Sequence, residues 1–413
     1  MRDLPINRLA AAFVLLPLVA CDGPDRPDDT SIRRDSAGVT IVENLAPKWQ
    51  PGAEWQVDSV PLLAIDPDAG SGAEFQTVTS VVRLDDGTTV ALDWRDPFVR
   101  AFDASGELVW TAVRQGSGPG ELRNASLLAR IRGDSLIVEE GRFPRSVLLA
   151  PDGAIVGDVP AFAPPATGGG GDRLVIPTPV LRLHNGDGIA YVGTMLLSDL
   201  TGSGTYTSIG DFYLTSRDDG SRALGAWPVL TMGRGEYGPI ALFGSRMSIA
   251  ALPDGFVYAW PTRDELRVYG SDGSLRMLVR GPGESRAPTS DEISAAREAR
   301  IARAGDTPDV VRAEEGRPVA DTMPHFRRLV ASSSGEIWRA RLDPVLHACC
   351  GQVPEFASQP TLWDVLAADG TLLGSVALPP RFDLMSAGDD WIAGVHADEM
   401  DVQTPRVYRL LKP

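Results

Sequence analysis

The feature that most constrains this chain is a recurring pair of tight turns. From Val39 onward, short β-rich runs are divided by Asp-Gly or Ser-Gly steps. Gly supplies the positive φ that a hairpin turn of this kind needs. The clearest unit is Thr79 to Val113. Ser80–Leu84 reads as a strand, Asp85-Asp86-Gly87 as a turn and Thr88–Trp94 as a second strand. Arg95-Asp96-Pro97 breaks the run, Phe98–Phe102 follows, Ser105-Gly106 turns, and Glu107–Val113 is the fourth strand. Four antiparallel strands in about 35 residues make a unit of propeller-blade size.

The turns then recur in pairs: Asp134 with Asp152-Gly153, Asn185-Gly186 with Asp219-Gly220, Asp254-Gly255 with Asp272-Gly273, and Ser334-Gly335 with Asp369-Gly370. A last turn at Asp389-Asp390 is followed by only two more runs, Trp391–His396 and Arg406–Leu411. Turn counting therefore predicts an all-β, six-bladed β-propeller over 39–413, with five or seven blades as the neighbouring counts and an irregular third unit. The sixth unit lacks a strand. Either Val39–Val42 or Trp55–Ile65 would supply it and leave no open sheet edge. Two stretches depart from the repeat. Residues 163–172 read as a Pro/Gly loop. Residues 289–304 read as a surface helix, with Thr289 and Glu292 at capping-box spacing and Gly305 as its stop, followed by loop to about Pro324.

Residues 1–20 have the three regions of a secretory signal: Arg2 and Arg8, an apolar stretch Leu9–Leu18, and small residues before Cys21. The Asp- and Pro-rich segment 21–38 is expected to be a flexible tether. Leu18-Val19-Ala20-Cys21 resembles the lipobox of bacterial lipoproteins, in which the Cys is lipidated and becomes the first mature residue. The resemblance implies a chain at the cell envelope, facing the periplasm and anchored through lipid alone, with inner and outer membrane both open. Removing the leader takes the formal charge from −16 to −17. So acidic a surface argues against a nucleic-acid partner, and three Cys cannot build a disulfide framework.

Gly116-Ser117-Gly118-Pro119-Gly120-Glu121 recurs shortened as Gly281-Pro282-Gly283-Glu284 and degenerate as Gly233-Arg234-Gly235-Glu236. With the opening Asp35–Glu43, Gly335–Trp338 and the pattern Trp363–Leu378, these turns resemble the six-bladed β-propeller lipoproteins of Gram-negative bacteria, relatives of the NHL-repeat propellers. The resemblance spans about residues 33–411 and implies the fold; it brings no shared activity and no catalytic residues.

The residues themselves carry few signs of catalysis. Gly233 to Gly238 matches G-x-G-x-x-G, but Pro239 follows and no helix pattern opens, so it reads as a blade connector. Walker A, H-E-x-x-H and G-x-S-x-G sequences are missing. No cofactor is expected. Zinc is the ion that His184, His325, His347 and His396 would take if channel strands brought them together, and His347-Ala348-Cys349-Cys350 is the densest soft-ligand group. Calcium is the ion for Asp-rich turns, though EF-hand spacing is not met.

Topology points elsewhere. In an up-and-down blade the tight turns share one face, and the second-to-third-strand loops and inter-blade loops share the other. The second set is long and chemically varied: Trp94, Arg95, Asp96, Glu140, Arg142, Trp260, Arg263, Asp264, Arg341, Asp343, His347 and His396. Arg beside Trp suits the centre of an interface. The expectation is a monomeric propeller binding a protein, peptide or glycan on this loop-rich face. The alternatives are a metal-dependent lactonase- or lyase-like hydrolase at the channel mouth, and a structural envelope subunit with apolar blade sides.

Overall fold

The computed structural model describes residues 30–65, 74–93, 98–140, 145–160, 173–196, 201–216, 220–234, 241–345 and 356–413. These form a six-bladed β-propeller. Blade 1 is Val78–Arg83, Thr89–Asp93, Phe98–Phe102 and Leu108–Ala112. Blade 2 runs from Ala125 to Pro160, blade 3 from Arg173 to Gly233, blade 4 from Ser248 to Arg280, and blade 5 from Phe326 to Leu378, each as four antiparallel strands in chain order. Blade 6 takes Phe382–Ala387, Trp391–Ala397 and Gln403–Leu411, and borrows Gln56–Ala64 as its outer strand. The first strand of every blade lines the axis.

The turns form as their residues dictate. The Asx side chain accepts the amide two residues on, as Asp86 does from Thr88 (2.8 Å), Asp272 from Ser274 (3.0 Å) and Asp369 from Thr371 (2.9 Å). The Gly beside it takes positive φ: +92° at Gly87 and +85° at Gly370. Blade 3 is long, with a 14-residue outer strand, and its register shifts between Pro179 and Leu181, Ser208 and Ile209, and Phe212 and Tyr213. Apolar layers fill the junctions between blades 1 and 2, 3 and 4, 4 and 5, 5 and 6, and 6 and 1.

Of the two candidate closing strands, Gln56–Ala64 closes the ring. Val39–Asn44 instead lies parallel to Leu275–Arg280, on the outer edge of blade 4. The tether expected over 21–38 is corrected at its end, because Ser31–Ser36 is a strand paired with Val39–Asn44. The turn between them sits at Ala37-Gly38, and Arg33 ties the hairpin to Asp369 at 2.7 Å. Asn44 then bridges to blade 5, donating to the Gly370 carbonyl (3.0 Å) and accepting from the Leu372 amide (2.8 Å). The amides of Lys48 and Trp49 bond the carbonyls of Leu372 and Leu373. The N-terminal segment thus straps the outer edges of blades 4, 5 and 6.

Between blades 4 and 5 the expected helix is present as α1, Ser290–Ala304, with both capping-box bonds formed and Gly305 at its end. The stretch expected as loop holds a second helix, α2, Pro308–Glu315. Thr307 caps it and Pro308 opens it, which suits a helix start. Arg300 of α1 and Arg317 both grip the Glu314 carboxylate, at 2.7–3.0 Å. Helix α1 seats Ile293 and Ala296 on Leu242 and Phe243 of the blade 3–4 connection, on the loop-rich side. Cys21, Cys349, Cys350 and the 163–172 loop lie outside the described residues. No helix among the described residues is long and apolar enough to cross a membrane.

Candidate functional site

The loop-rich face divides its predicted residues into two kinds. Some hold the ring together. Glu140 is 2% exposed and accepts the Arg123 amide at 3.0 Å. Asp93 does the same in blade 1, taking the amides of Gln76 (2.6 Å) and Thr77 (3.2 Å). A carboxylate ending the second strand thus holds the chain as it enters the first. Asp264 is buried, accepts the Gly283 amide at 2.9 Å and pairs with Arg339 of blade 5. Arg339 also reaches Asp364 at 3.0 Å, and Asp364 binds Arg341 at 2.6 Å. This network locks blade 4 to blade 5. It also explains the Gly281-Pro282-Gly283-Glu284 turn, since a Cβ on Gly281 would stand 2.0 Å from Asp264 Oδ2. In the blade 1–2 connector Glu121 folds back onto the Gly118 amide (2.9 Å), and a Cβ on Gly116 would stand 1.9 Å from its Oε2. Arg145 clamps the Gly118 carbonyl at 2.9 Å, and Gly120 donates to Asp158 at 3.3 Å.

Others remain open. Trp260 and Arg263 line a cleft of about 260 Å³ with Pro228, Tyr258, Glu265 and Arg267. Its floor is a rigid aromatic block between blades 3 and 4. Trp227 stands 4.6 Å from Phe212, 4.7 Å from Tyr258 and 5.2 Å from Tyr269. The Tyr258 hydroxyl donates to the Pro228 carbonyl at 2.8 Å, and burial pushes its phenol up. Glu265 holds Arg267 (3.2 Å) and Arg280 (3.1 Å). The Arg263 guanidinium is exposed and has no hydrogen-bond or ion-pair partner among the described residues. The cleft therefore offers an aromatic wall and one unspent cation. Asp343 is exposed and accepts the Val345 amide at 2.9 Å. His396 lines a separate pocket in blade 6. Trp94, Arg95, Asp96, Arg142 and His347 lie outside the described residues.

The opposite face holds a feature that the loop argument missed. A cavity of about 270 Å³ at the tight-turn end of the channel is lined by all six blades. Arg83, Arg130 and Arg182 end the first strands of blades 1, 2 and 3, while Ala331 and Ala387 end those of blades 5 and 6. Each Arg reaches to the preceding blade. Arg83 lies over Trp391 at 5.6 Å, Arg130 bonds the Arg83 carbonyl at 3.1 Å, and Arg182 pairs with Glu139. Burial, then the charges of Arg130 and Arg132, hold the nearby His184 below its usual range. The sequence signal was readable: in all three blades the Arg stands immediately before the apolar residue that opens the tight turn, Leu84, Ile131 or Leu183.

His184 lines the channel cavity, His325 sits beside Gly283, and His396 lines the blade 6 pocket. Burial, with smaller opposing and assisting charges from Asp264, Arg339 and Arg286, lowers His325. Among the described residues no three His, Cys, Asp or Glu side chains come together as a metal-ion set.

No sequence family matches the chain, and no curated protein matches it in sequence. Solved structures do resemble it. A Bacteroides fragilis protein inferred to be exported aligns at 10% identity, over 90% of this chain and 99% of its own, with a TM-score of 0.46. A DUF4221-family member from Bacteroides vulgatus aligns at 11% identity over 87% and 99%, with a TM-score of 0.48. A virginiamycin B lyase from Staphylococcus aureus aligns at 10% identity over 86% and 99%, with a TM-score of 0.36.

Proposed function

We propose that this chain is a binding scaffold of the bacterial cell envelope, held by lipid on Cys21, that takes a peptide, protein or glycan on its loop-rich face. The Trp260–Arg263 cleft is its contact centre. The observation that carries this is the Arg263 guanidinium beside Trp260, without a partner among the described residues, on a floor of packed aromatic rings. Aromatic and Arg side chains on a rigid base lose little freedom on binding and dominate interfaces. With the whole chain at −16, an isolated cation selects a partner group locally. Arg263 suits a carboxylate, and Trp260 suits a flat apolar surface beside it.

The test is selection of binders from a random peptide library on the full chain, repeated with Trp260→Ala and Arg263→Glu. Binders carrying an acidic group, weakened at least about tenfold by either change, are expected. Equal binding to both variants would sink the cleft assignment. The anchor is tested by labelled fatty acid, whose incorporation should vanish in Cys21→Ser.

One observation favours a second reading, lateral packing within an envelope assembly. The outer strands of blades 6, 1 and 2 expose Val60 (68%), Val109 (51%) and Val156 (62%). If that surface packs against a neighbour, Val109→Asp with Val156→Asp should shift the sedimentation of the envelope-extracted protein.

A further inference from the structure

Blade 6 carries a second pocket on the loop-rich side, apart from the Trp260 cleft. It is lined by Ala64, Ile65, His396, Asp398, Val402, Thr404 and Arg406, and encloses about 290 Å³. Its polar wall is built by strand register. Thr404 and Arg406 stand two apart on one strand, so they share a face. His396 pairs directly with Thr404 across the ladder, and Arg406 pairs with Ala64 of the closing strand.

Arg406 is the unusual member. Its Nε is buried without a partner, and among the described residues its side chain makes one hydrogen bond, from Nη1 to the Tyr408 hydroxyl at 3.3 Å. No carboxylate among the described residues pairs with it. The chain has 55 Asp+Glu against 39 Lys+Arg, so acidic partners are abundant. Among the described residues, the acids nearest this pocket hold other partners. Asp398 accepts the amides of Met400 (2.8 Å) and Val402 (2.9 Å), and Asp401 holds Arg381 at 2.6 Å. A half-buried guanidinium left without an anion is costly, and a ligand anion removes that cost.

We infer that this pocket binds a small monocarboxylate with a short apolar tail. Arg406 supplies the single positive charge, and Thr404 and the uncharged imidazole of His396 supply neutral donors. One cation matches one carboxylate. Ala64, Ile65 and Val402 supply the apolar flank for the tail. At about 30 Å³ per water the pocket holds roughly ten non-hydrogen atoms, the size of a short-chain acid. Burial, then the charges of Arg406 and Arg381 against Asp398, push His396 down to about 4. The imidazole is therefore neutral near pH 7. A bound carboxylate beside it favours the protonated form and raises its titration midpoint.

The experiment uses the full chain in detergent micelles with its four histidines labelled at Cε1. His396→Asn identifies the resonance. Acetate, butyrate and hexanoate are titrated, with butylamine and inorganic phosphate as controls. A saturable shift of His396 alone is expected, of millimolar order for butyrate, with a raised midpoint. Arg406→Gln should weaken it at least about tenfold with the other three signals in place, and Thr404→Val about threefold. No shift with any acid, unchanged binding to Arg406→Gln, or phosphate binding more tightly than butyrate would each overturn the inference. Arg263→Glu should leave this titration unmoved, so failure here and failure at the Trp260 cleft are separable.

Discussion

Arg339→Met tests the lock between blades 4 and 5. The Arg339 side chain is 9% exposed and stands between Asp264 (7%) and Asp364 (9%). Removing it leaves Asp364 with Arg341 at 2.6 Å and Ser375 at 2.8 Å, but leaves Asp264 with no cation. Stranding a buried charge in this way costs about 3–5 kcal/mol. With roughly 0.8 kcal/mol/K of unfolding entropy for a domain of this size, Tm should fall about 4–6 °C. The loss also has a pH signature. Burial pulls the Asp364 carboxyl up, but Arg339, the Ser375 hydroxyl and Arg341 outweigh it and hold the group below the ordinary range. Such a carboxyl stabilises above the unfolded value of about 4 and loses that contribution as pH falls through its folded value. In the variant much of the depression goes, so the difference between the two proteins is largest at pH 7 and shrinks toward pH 3. Adding Asp264→Asn should recover more than about 1 kcal/mol, because the stranded charge is gone. Urea unfolding at pH 7 and pH 3 reads all three. A loss below about 1 kcal/mol at pH 7, or one independent of pH, would refute the argument.

Gly281→Ala should destabilise by about 1–3 kcal/mol, because its Cβ would meet the immobilised Asp264 carboxylate at 2.0 Å; thermal melts read it. Asn44→Ala should cost about 2–3 kcal/mol by orphaning the Gly370 carbonyl and Leu372 amide, and hydrogen exchange should quicken first along residues 31–44. Thr289→Ala should cost about 1 kcal/mol and fray only α1. The Glu292 carboxyl, held down to about 2 by Arg286 and by the amide and hydroxyl of Thr289, keeps its half of that cap charged. Its contribution is present above about pH 4.5 and lost as pH falls toward 2, which amide exchange across that range would show.

The turns were legible because Asx and Gly act locally: each hairpin needs only its own few residues. The capping box of α1 was legible for the same reason. What needed a partner was not. Val39–Val42 and Trp55–Ile65 are equally strand-like, and nothing in either run says that one joins blade 4 in parallel while the other closes blade 6. Helix α2 carries its cap at Thr307 and Pro at 308, but eight residues are too few for a helical period to stand out. At the site, the loop argument named Trp260, Arg263 and His396 from where loops fall, and each lines a pocket. It placed Glu140 and Asp264 in the same group, although Glu140 Oε1 holds a backbone amide and Asp264 holds an amide and an ion pair. Arg406 was not named, because the lack of a partner for its Nε among the described residues shows only in the assembled blade.

Strap and closure are separable by truncation, because the N-terminal segment does two jobs in order along the chain. Residues 31–49 add edge pairing to blades 4 and 5 after both already have four strands. Residues 56–64 supply a strand that blade 6 lacks. Trp49 and Trp55 link the two jobs. Their rings lie 5.2 Å apart, Trp49 covers Gly374 of blade 5, and Trp55 faces Trp338 at 6.2 Å and Lys412 at 4.1 Å. A chain beginning at residue 50 should therefore still close its ring. It should melt lower, because it loses the buried Asn44 bonds and bares the edges of blades 4 and 5. A chain beginning at residue 66 leaves the outer edge of the Gln403–Leu411 strand unpaired and uncovers Val407, Tyr408 and Leu410 of the core. That chain should aggregate, and adding the 50–65 segment as a separate peptide should rescue it. If both truncations melt together, closure does not depend on Gln56–Ala64; if the first aggregates as well, the strap is part of closure and the two jobs are one.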